Sequence, residues 1–573
     1  MEKWVVAAKR ADFYGIAKKF GIDPVLARII RNRDVVGDPA IDLYLHGGMD
    51  DLPSPWLLKD MEKAVEILLE GIRLKKRVRI IGDYDIDGVC ASAILYKGFR
   101  RIGLCADTYI PHRVTDGYGL NAHLIGQAGE DGIELLVTCD NGIAAHQEVA
   151  QAKAMGMTVI VTDHHNIPYE EKEGRRIPVL PPADAVIDPK QEDCPYPFSE
   201  LCGAAIAYKL ISALYERCGL PKEELEESLI LAAVATVGDV MDLQGENRIL
   251  VKEGLRRLPH TKSPGLQALL EVNDLTGEVS AYHIGFVLGP CINASGRLDT
   301  AQRSLQLLLE TDPQRAAVLA GDLLHMNESR KSMTAVQVEE AVRLVEAGTY
   351  GDDKILVIYL PKCHESLAGI VAGRVRERCH RPVFILTDGE QDVKGSGRSI
   401  EAYPMYDGLN ACSDLLVRFG GHAMAAGLSI HREDVDELRR RLNGQCTLTE
   451  QDMIPKTVID VPMPISYVTE ELIRQMSLLE PFGKGNAKPL FAERDIRVRD
   501  YRILGKNKNV VRMDLETSDG CCRPGICFTD VEKVTGILAA GRPVSILYYP
   551  QIHEYRGSRD IQIVIQGIQA VSD

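Results

Sequence analysis

Three short stretches of the sequence bring acids and imidazoles together. They are GDYDIDG, with Asp83, Asp85 and Asp87; TCDNG, with Asp140; and VTDHHN, with Asp163, His164 and His165. So many carboxylates cannot share a small site unless something neutralises them, because like charges at close range suppress one another's ionisation. Divalent cations do this. Asp oxygens combined with imidazole suit Mn2+ or Mg2+ better than a thiolate-type zinc site. Two such ions about 3.5–4 Å apart, bridged by a carboxylate, would clamp a phosphoryl group and activate water for in-line attack.

The elements around these stretches give them one place in a fold. From about Arg77 to Asp239 short apolar runs alternate with helical stretches, the pattern of a parallel α/β sheet. VRIIGDYDIDG (78–88) reads as strand then loop, followed by a helix over 89–103. ELLVTCDNG (134–142) repeats the unit with a helix through Met155, TVIVTDHH (158–165) is the third, and ADAVIDP (183–189) a fourth strand. Helices follow over 202–219 and 223–240. The three acidic stretches therefore sit at the carboxyl ends of successive strands, where open parallel sheets bind ligands. Taken singly each is weak, since Asp and Gly abound in loops after strands and TCDNG would also make an Asx-turn. Their common position carries the argument. Because neighbouring residues of an extended strand face opposite ways, one ion pair can take His164 but not both histidines unless the strand is turning there. His165 is left for the substrate or for orienting a neighbour.

A second α/β pattern begins near Ile355, with strands at 355–360, 382–388 and 392–400 and a helix at 364–379. GLNACSDLLVRFG (408–420) reads as a further helix before GGHAMAAGLSI (420–430). A long helical stretch, about 315–346, separates the two patterns. After Cys446 alternating segments divided by turn residues suggest a small β-barrel or sandwich. The expected architecture is an N-terminal helical segment (1–50), a parallel-sheet domain (51–314), a connecting helix (315–346), a second α/β domain (347–446) and a C-terminal β-barrel (447–573).

Bulk properties set limits. At 573 residues the chain exceeds one compact core, and roughly three to four domains are expected. With 45% hydrophobic and 26% charged residues and a mean hydropathy of −0.09, it has the composition of a folded protein. No apolar run approaches the roughly 18 residues of a membrane span, and the charged N-terminus, MEKWVVAAKRADFYGIAKKF, does not read as a signal peptide. The 14 cysteines are scattered without a CxxC pair, which argues against a thiolate zinc site and for reduced thiols in a cytoplasm. A net charge of −15 argues against a basic coat for duplex binding but leaves room for a local basic groove.

GDYDIDG, TCDNG, VTDHH and the later TVGDVMDLQGENR (236–248) together resemble the four motifs of the DHH phosphoesterase family. YIPHRVTDGYGL (109–120), CPYPFSELCGAA (194–205), LGPCINASGRLDTA (288–301), GIVAGR (369–374), KGSGRSI (394–400) and RFGGHAMAAGL (418–428) resemble its bacterial RecJ branch of single-strand-specific 5′→3′ DNA exonucleases. The resemblance covers nearly the whole chain.

It implies a DHH domain, a DHH-associated domain and an OB-like barrel, acting with two Mn2+ or Mg2+ ions on single-stranded DNA to release mononucleotides in repair and recombination. Asp85 and Asp87 would be metal ligands, with Asp140 bridging two ions, His164 and Asp239 completing the second ion's shell, and Asp83 contributing further. His165 would sit near the phosphate, and Asp163 would support rather than ligate. Arg113, Arg297, Ser396 and Arg398 would hold the terminal 5′-phosphate, with His422 contacting nucleic acid. In the barrel, Lys506, Lys508 and Arg512 would meet the strand's backbone and Tyr501 offer a stacking face. The implied partners are single-stranded DNA, a single-strand-binding protein and a RecQ-type helicase; the expected form is a monomer. Asp242 stands where relatives often carry proline, and the helix from His364 lacks the tryptophan many have before it. The alternatives are a DHH phosphodiesterase of short oligonucleotides or cyclic dinucleotides, which are generally shorter and lack the barrel, or a non-catalytic replication scaffold, which loses ligands this chain keeps.

Overall fold

The structure is a computed structural model. It describes residues 2–113, 116–117, 119–172, 174–528, 530–555 and 557–571. Part of the 109–120 motif, residues 114, 115 and 118, lies outside the described residues. The chain forms two compact units: Pro53–Met241 with Leu250–Pro455, and Met1–Leu52 with Asp242–Ile249 and Lys456–Asp573.

The larger unit holds two sheets. The first contains β1 (Val78–Ile81), β2 (Ala106–Tyr109), β3 (Leu135–Cys139), β4 (Thr158–Thr162) and β5 (Ala185–Ile187), all parallel, in the order β2-β1-β3-β4-β5. Its inner strands are buried on both faces, as near-continuous Val, Ile and Leu runs require. Helices α1 (Ile86–Arg101), α2 (His146–Ala154), α3 (Gly203–Arg217) and α4 (Glu226–Gly238) follow from the same chain segments, with α1 packed on α3 and α4. Gly98 sets the approach of α1 to α3, since a Cβ there would stand 2.4 Å from Ile211 Cδ1 and under 3 Å from two further atoms of that side chain.

Helix α5 (Gly289–Leu298) leads to the connecting helix α6 (Pro313–Glu346), which begins with Asp312 accepting N–H groups from Gln314 and Arg315. The second sheet comprises β6 (Leu356–Tyr359), β7 (Val383–Asp388), β8 (Val393–Arg398), β9 (Leu416–His422) and β10 (Ala425–Ile430), in the order β9-β10-β8-β7-β6, with α7 (Glu365–Cys379) packed against β7 and β8. Here the sequence reading fails at one element. The stretch 408–420 is not a helix: a short helix ends at Asn410, and Leu416–His422 runs as an edge strand paired with β10. Tertiary pairing overrides local helical spacing, and Gly421, at φ 140°, takes a position where a Cβ would meet Ala425 O at 2.4 Å.

In the smaller unit β11 (Phe491–Leu504), β12 (Val510–Glu516), β13 (Cys522–Cys527), β14 (Val544–Tyr555) and β15 (Ser558–Ala570) close into a barrel, because β11 pairs with both β12 and β14. Helices Phe13–Phe20, Pro24–Asn32 and Asp38–His46 share its core with Phe491 and Tyr548, and strand Lys3–Val6 pairs with Lys456–Ile459. Among the described residues no helix is long and apolar enough to cross a membrane.

Gly98→Ala should cost about 1–3 kcal/mol by overpacking the α1–α3 contact. Urea denaturation should show that loss, with activity per folded molecule retained.

Candidate metal centre

The parallel register explains why the acids converge. Ile81 pairs with Thr138, Cys139 with Thr162, and Thr162 with Ile187. Continuing those rows beyond the strand ends places Asp83, Asp140, Asp163 and Asp188 in one line. Asp140 N–H donates to Thr162 O and Asp163 N–H to Ile187 O, both at 3.1 Å, so the ladder itself carries the line forward. Asp140 takes a left-handed backbone, φ 61°, which Asp tolerates better than most residues.

Asp85 caps α1, accepting N–H groups from Asp87 at 2.9 Å and Gly88 at 3.2 Å. Asp87 is fully buried, and its two oxygens accept the Gly203 and Ala204 N–H groups at 2.6 and 2.7 Å, at the start of α3. A helix N-terminus favours that negative charge. Gly203 is needed there, because a Cβ would lie 2.7 Å from Asp140 Cβ and 3.1 Å from Asp87 Oδ2. His164 Nε2 stands 3.0 Å from Asp140 Oδ1, 3.6 Å from Asp87 Oδ2 and 3.9 Å from Asp239 Oδ2, with Asp239 closing the end of α4.

Three donor groups result, each with ligand atoms within 4.8 Å of one another: Asp83, Asp85 and Asp140; Asp87, His164 and Asp239; and Asp140, His164 and His165. Asp140 belongs to two of them. The donor set fits hard divalent cations, and buried atoms ask for them: among the described residues Asp83 Oδ1 has no hydrogen-bond partner. Burial pushes Asp83 well above the ordinary carboxylate range, reinforced by Asp85. Burial does the same to Asp140, reinforced by Asp87, Asp85 and Asp83. Burial and the Asp87 charge also raise Asp85. Burial lowers His164, which keeps its imidazole neutral and able to ligate.

Asp163 behaves differently. Burial opposes its charge, but the His165 ring and the Ile143 N–H win and hold it below the ordinary range. Its oxygens accept from Ile143 N, His164 N and His165 N, and His165 Nδ1 lies 2.8 Å away. Burial works against protonation of His165, yet Asp163, with Asp239 and Asp87, raises it to about 9. The strand-alternation premise for separating the histidines does not apply, because β4 ends at Thr162 and both rings turn to the same acids, centroids 4.5 Å apart. Asp85 and Asp87 likewise lie at a helix start rather than on a strand.

The predicted arginines gather beside these acids. Arg297, on α5, donates to Ser366 O at 3.0 Å, and Ser366 Oγ donates back to Arg297 O. Arg398 donates to Gly397 O at 2.8 Å and lies beside Ser396 Oγ at 3.4 Å; a Cβ on Gly369 of α7 would sit 2.9 Å from both side chains. The Arg113 guanidinium lies 4.7 Å from the Tyr84 ring centroid. Among the described residues neither Arg297 nor Arg398 has a carboxylate at ion-pair distance. Desolvation first, then Arg113 and Arg330, lowers Arg297 to about 10, and burial with Arg113 lowers Arg398. Such a cluster calls for an anion. His422 is exposed and shares a cross-strand row with Ala425 and Arg398, on the same face. On the barrel, Lys506, Lys508 and Arg512 are exposed, Arg512 faces Arg502 across the ladder, and Tyr501 is part-exposed.

Comparison with known proteins agrees over the same segments. The profile of the DHH family N-terminal domain matches residues 77–236, that of the DHHA1 domain 352–447, and that of the RecJ OB domain 459–567. The single-stranded-DNA-specific exonuclease RecJ of Bacillus subtilis is 35% identical over 97% of this chain and 69% of its own. That of Escherichia coli is 34% identical, covering 96% of both chains. The chain belongs to the RecJ family. The crystal structure of RecJ from Thermus thermophilus in complex with Mn2+ superposes with a TM-score of 0.84 at 28% identity, covering 100% of this chain and 80% of that one.

Within this RecJ-family fold two residues escaped the sequence reading. Asp188 directly follows β5 in the line of acids, fully buried, with Oδ1 accepting from Lys190 N and Oδ2 without a partner among the described residues; burial, then the Asp163 charge, raises it to about 7. The fourth strand was itself the signal. Arg330, on α6, is braced by Asn327 Oδ1 at 2.9 Å and adds charge near Arg297. No local pattern marked it.

A carboxylate held above its unfolded value destabilises as pH rises from the ordinary range toward its folded value. Metal-free Asp140→Asn should therefore melt above the parent at about pH 8, the gap closing toward about pH 5 as the acids protonate. Saturating Mn2+ should reverse the order, because only the intact site gains from the ion, about 2.7 kcal/mol at a hundredfold excess over Kd. Differential scanning fluorimetry measures both.

Proposed function

We propose that this chain is a 5′→3′ exonuclease that hydrolyses single-stranded DNA to mononucleotides with two divalent cations, Mn2+ or Mg2+. The observation that supports it most is the adjacency of the acid cluster to Arg297 and Arg398, which among the described residues have no carboxylate at ion-pair distance. Asp83, Asp85 and Asp140 would hold one ion, Asp87, His164 and Asp239 the other, with Asp140 shared. Bound there, the ions supply Lewis-acid stabilisation of the phosphoryl group and a nucleophile at neutral pH.

The protein's own residues do the rest. Asp87, fixed by the first two N–H groups of α3, keeps its oxygens aimed without rotamer freedom. Asp163 locks His165 in place through the 2.8 Å contact to its Nδ1, and His165 would sit near the phosphate. Arg297, Arg398, Arg113 and Ser396 would hold the terminal 5′-phosphate, which fixes polarity because only an end can enter. His422 extends the contact along the sheet face. The barrel residues Lys506, Lys508 and Arg512 would follow the backbone and Tyr501 would stack on a base. The reading extends to repair and recombination in the cytoplasm, as a monomer served by a RecQ-type helicase and a single-strand-binding protein; family membership is what supports that part.

Strands labelled at either end and digested with Mn2+ should lose label from the 5′ end first, with duplex spared. Cleavage confined to di- to tetranucleotides would replace this reading with an oligonucleotide phosphodiesterase. Asp140→Asn should lower cleavage at least about a thousandfold while leaving DNA binding measurable; undiminished hydrolysis would sink the two-ion mechanism. Arg398→Ala should weaken binding of 5′-phosphorylated strands by about tenfold or more and of 5′-hydroxyl strands much less.

A further inference from the structure

The turn leading into α5 carries two large aromatic side chains that the fold leaves uncovered. Tyr282 and Phe286 are each 63% exposed, and their rings stack on one another with centroids 4.8 Å apart and planes 27° from parallel. Water contact of this extent is unfavourable for a phenyl ring and marks a surface with a use. The segment Ile284–Leu288 is wound as a π-helix, a rare departure that is frequent at functional sites.

This turn is fixed against both halves of the acid cluster. Gly285 faces Val237, two residues before Asp239: a Cβ would stand 3.8 Å from Val237 Cγ1. Ile86, between Asp85 and Asp87, is held from two sides, with Gly289 3.4 Å and Gly238 2.7 Å from its Cδ1 by the same measure. The Ile86 N–H donates to Asn293 Oδ1 at 2.8 Å. The aromatic pair therefore rides on a turn docked to the 85–87 and 237–239 segments, which carry Asp85, Asp87 and Asp239.

We propose that Phe286, backed by Tyr282, is a stacking platform for a base of the single strand being degraded. The proposal rests on the nuclease reading above. Two rings bordered by Ser280 and His283 offer the area of a nucleobase, far short of the roughly 800 Å² per partner of a protein interface. Every base has a π-face, so such a platform is tolerant of sequence. It also discriminates: a base in a duplex has both faces occupied by its neighbours, and only an unpaired one can leave the stack for Phe286. Strand selectivity then comes partly from a contact and not only from the width of a cleft.

The test compares Phe286→Ala and Phe286→Trp with the parent, each also in an Asp140→Asn background that stops cleavage. The probes are 5′-phosphorylated oligonucleotides carrying 2-aminopurine at successive positions from the 5′ end. Expected are quenching at one or two positions with Phe286 present, its loss in Phe286→Ala with a roughly five- to twentyfold rise in Kd, and recovery in Phe286→Trp. The rise in melting temperature on adding Mn2+ in the Asp140-intact proteins, which reports the metal centre without any aromatic probe, should be the same in Phe286→Ala and the parent. Equal affinity and quenching in parent and Phe286→Ala would overturn the platform while leaving the nuclease reading standing. A parallel loss of the Mn2+-induced rise in melting temperature would also overturn it, by tracing the effect to the metal centre. A parent that neither cuts nor binds single strands would remove the nuclease reading and the platform together.

Discussion

Asp83, Asp85, Asp87 and Asp140 are held closer together than their charges favour, and the rest of the larger unit is arranged around that constraint. The fold keeps them there by means other than their mutual attraction to protein cations. Hydrogen bonds of the parallel ladder set the line of strand-end acids, so their spacing is inherited from the backbone. The first N–H groups of α3 compensate Asp87, and those of α1 compensate Asp85. Backbone donors cannot rotate away, and they exert their effect without introducing a competing positive side chain that an incoming ion would have to displace. A half-neutralised acidic site of this kind is strained alone and relaxed when loaded, so ion binding and site integrity are one equilibrium.

Much of this was visible in the sequence because period and position are local. The apolar runs before Asp83, Asp140 and Asp163 announce parallel strands, and their lengths announce where each ends. The long helix is visible for the same reason, and so is most of the barrel. What was hidden depends on partners distant in the chain. The 408–420 stretch has helical spacing at Leu409, Cys412 and Leu416, yet Leu416–His422 finds an edge to pair with and becomes a strand. Strand β13 is concealed by Pro524 and Gly525, which disfavour a strand although both take places in the ladders. Arg330 is one basic residue among several on a long helix, and only packing shows that it is braced near Arg297. The two histidines were separated by an argument about extended chain that stops applying where the strand stops.

The glycines show how closely the segments approach. Gly203 makes room for Asp140 and Asp87, Gly238 and Gly289 for Ile86, and Gly369 for Arg398 and Ser396. At each, a backbone comes against a functional side chain, and a methyl group would displace it. These positions bear on rate as much as on stability, because a small shift of a ligand carboxylate changes the site without unfolding the sheet.

The arginines without acid partners have a consequence for how a strand arrives. The protein as a whole carries a charge of −15 and repels a polyanion at long range. Within about a Debye length, roughly 8 Å at physiological ionic strength, that average no longer describes the field, and the cluster of Arg113, Arg297, Arg330 and Arg398 does. On the proposed reading, encounter would favour a chain end that reaches this cluster, while the negative net charge would disfavour unselective contact with the flanks of long DNA. On that reading, the same sign of net charge that argues against a duplex-coating protein would keep a terminus-seeking one from being trapped along the middle of its substrate.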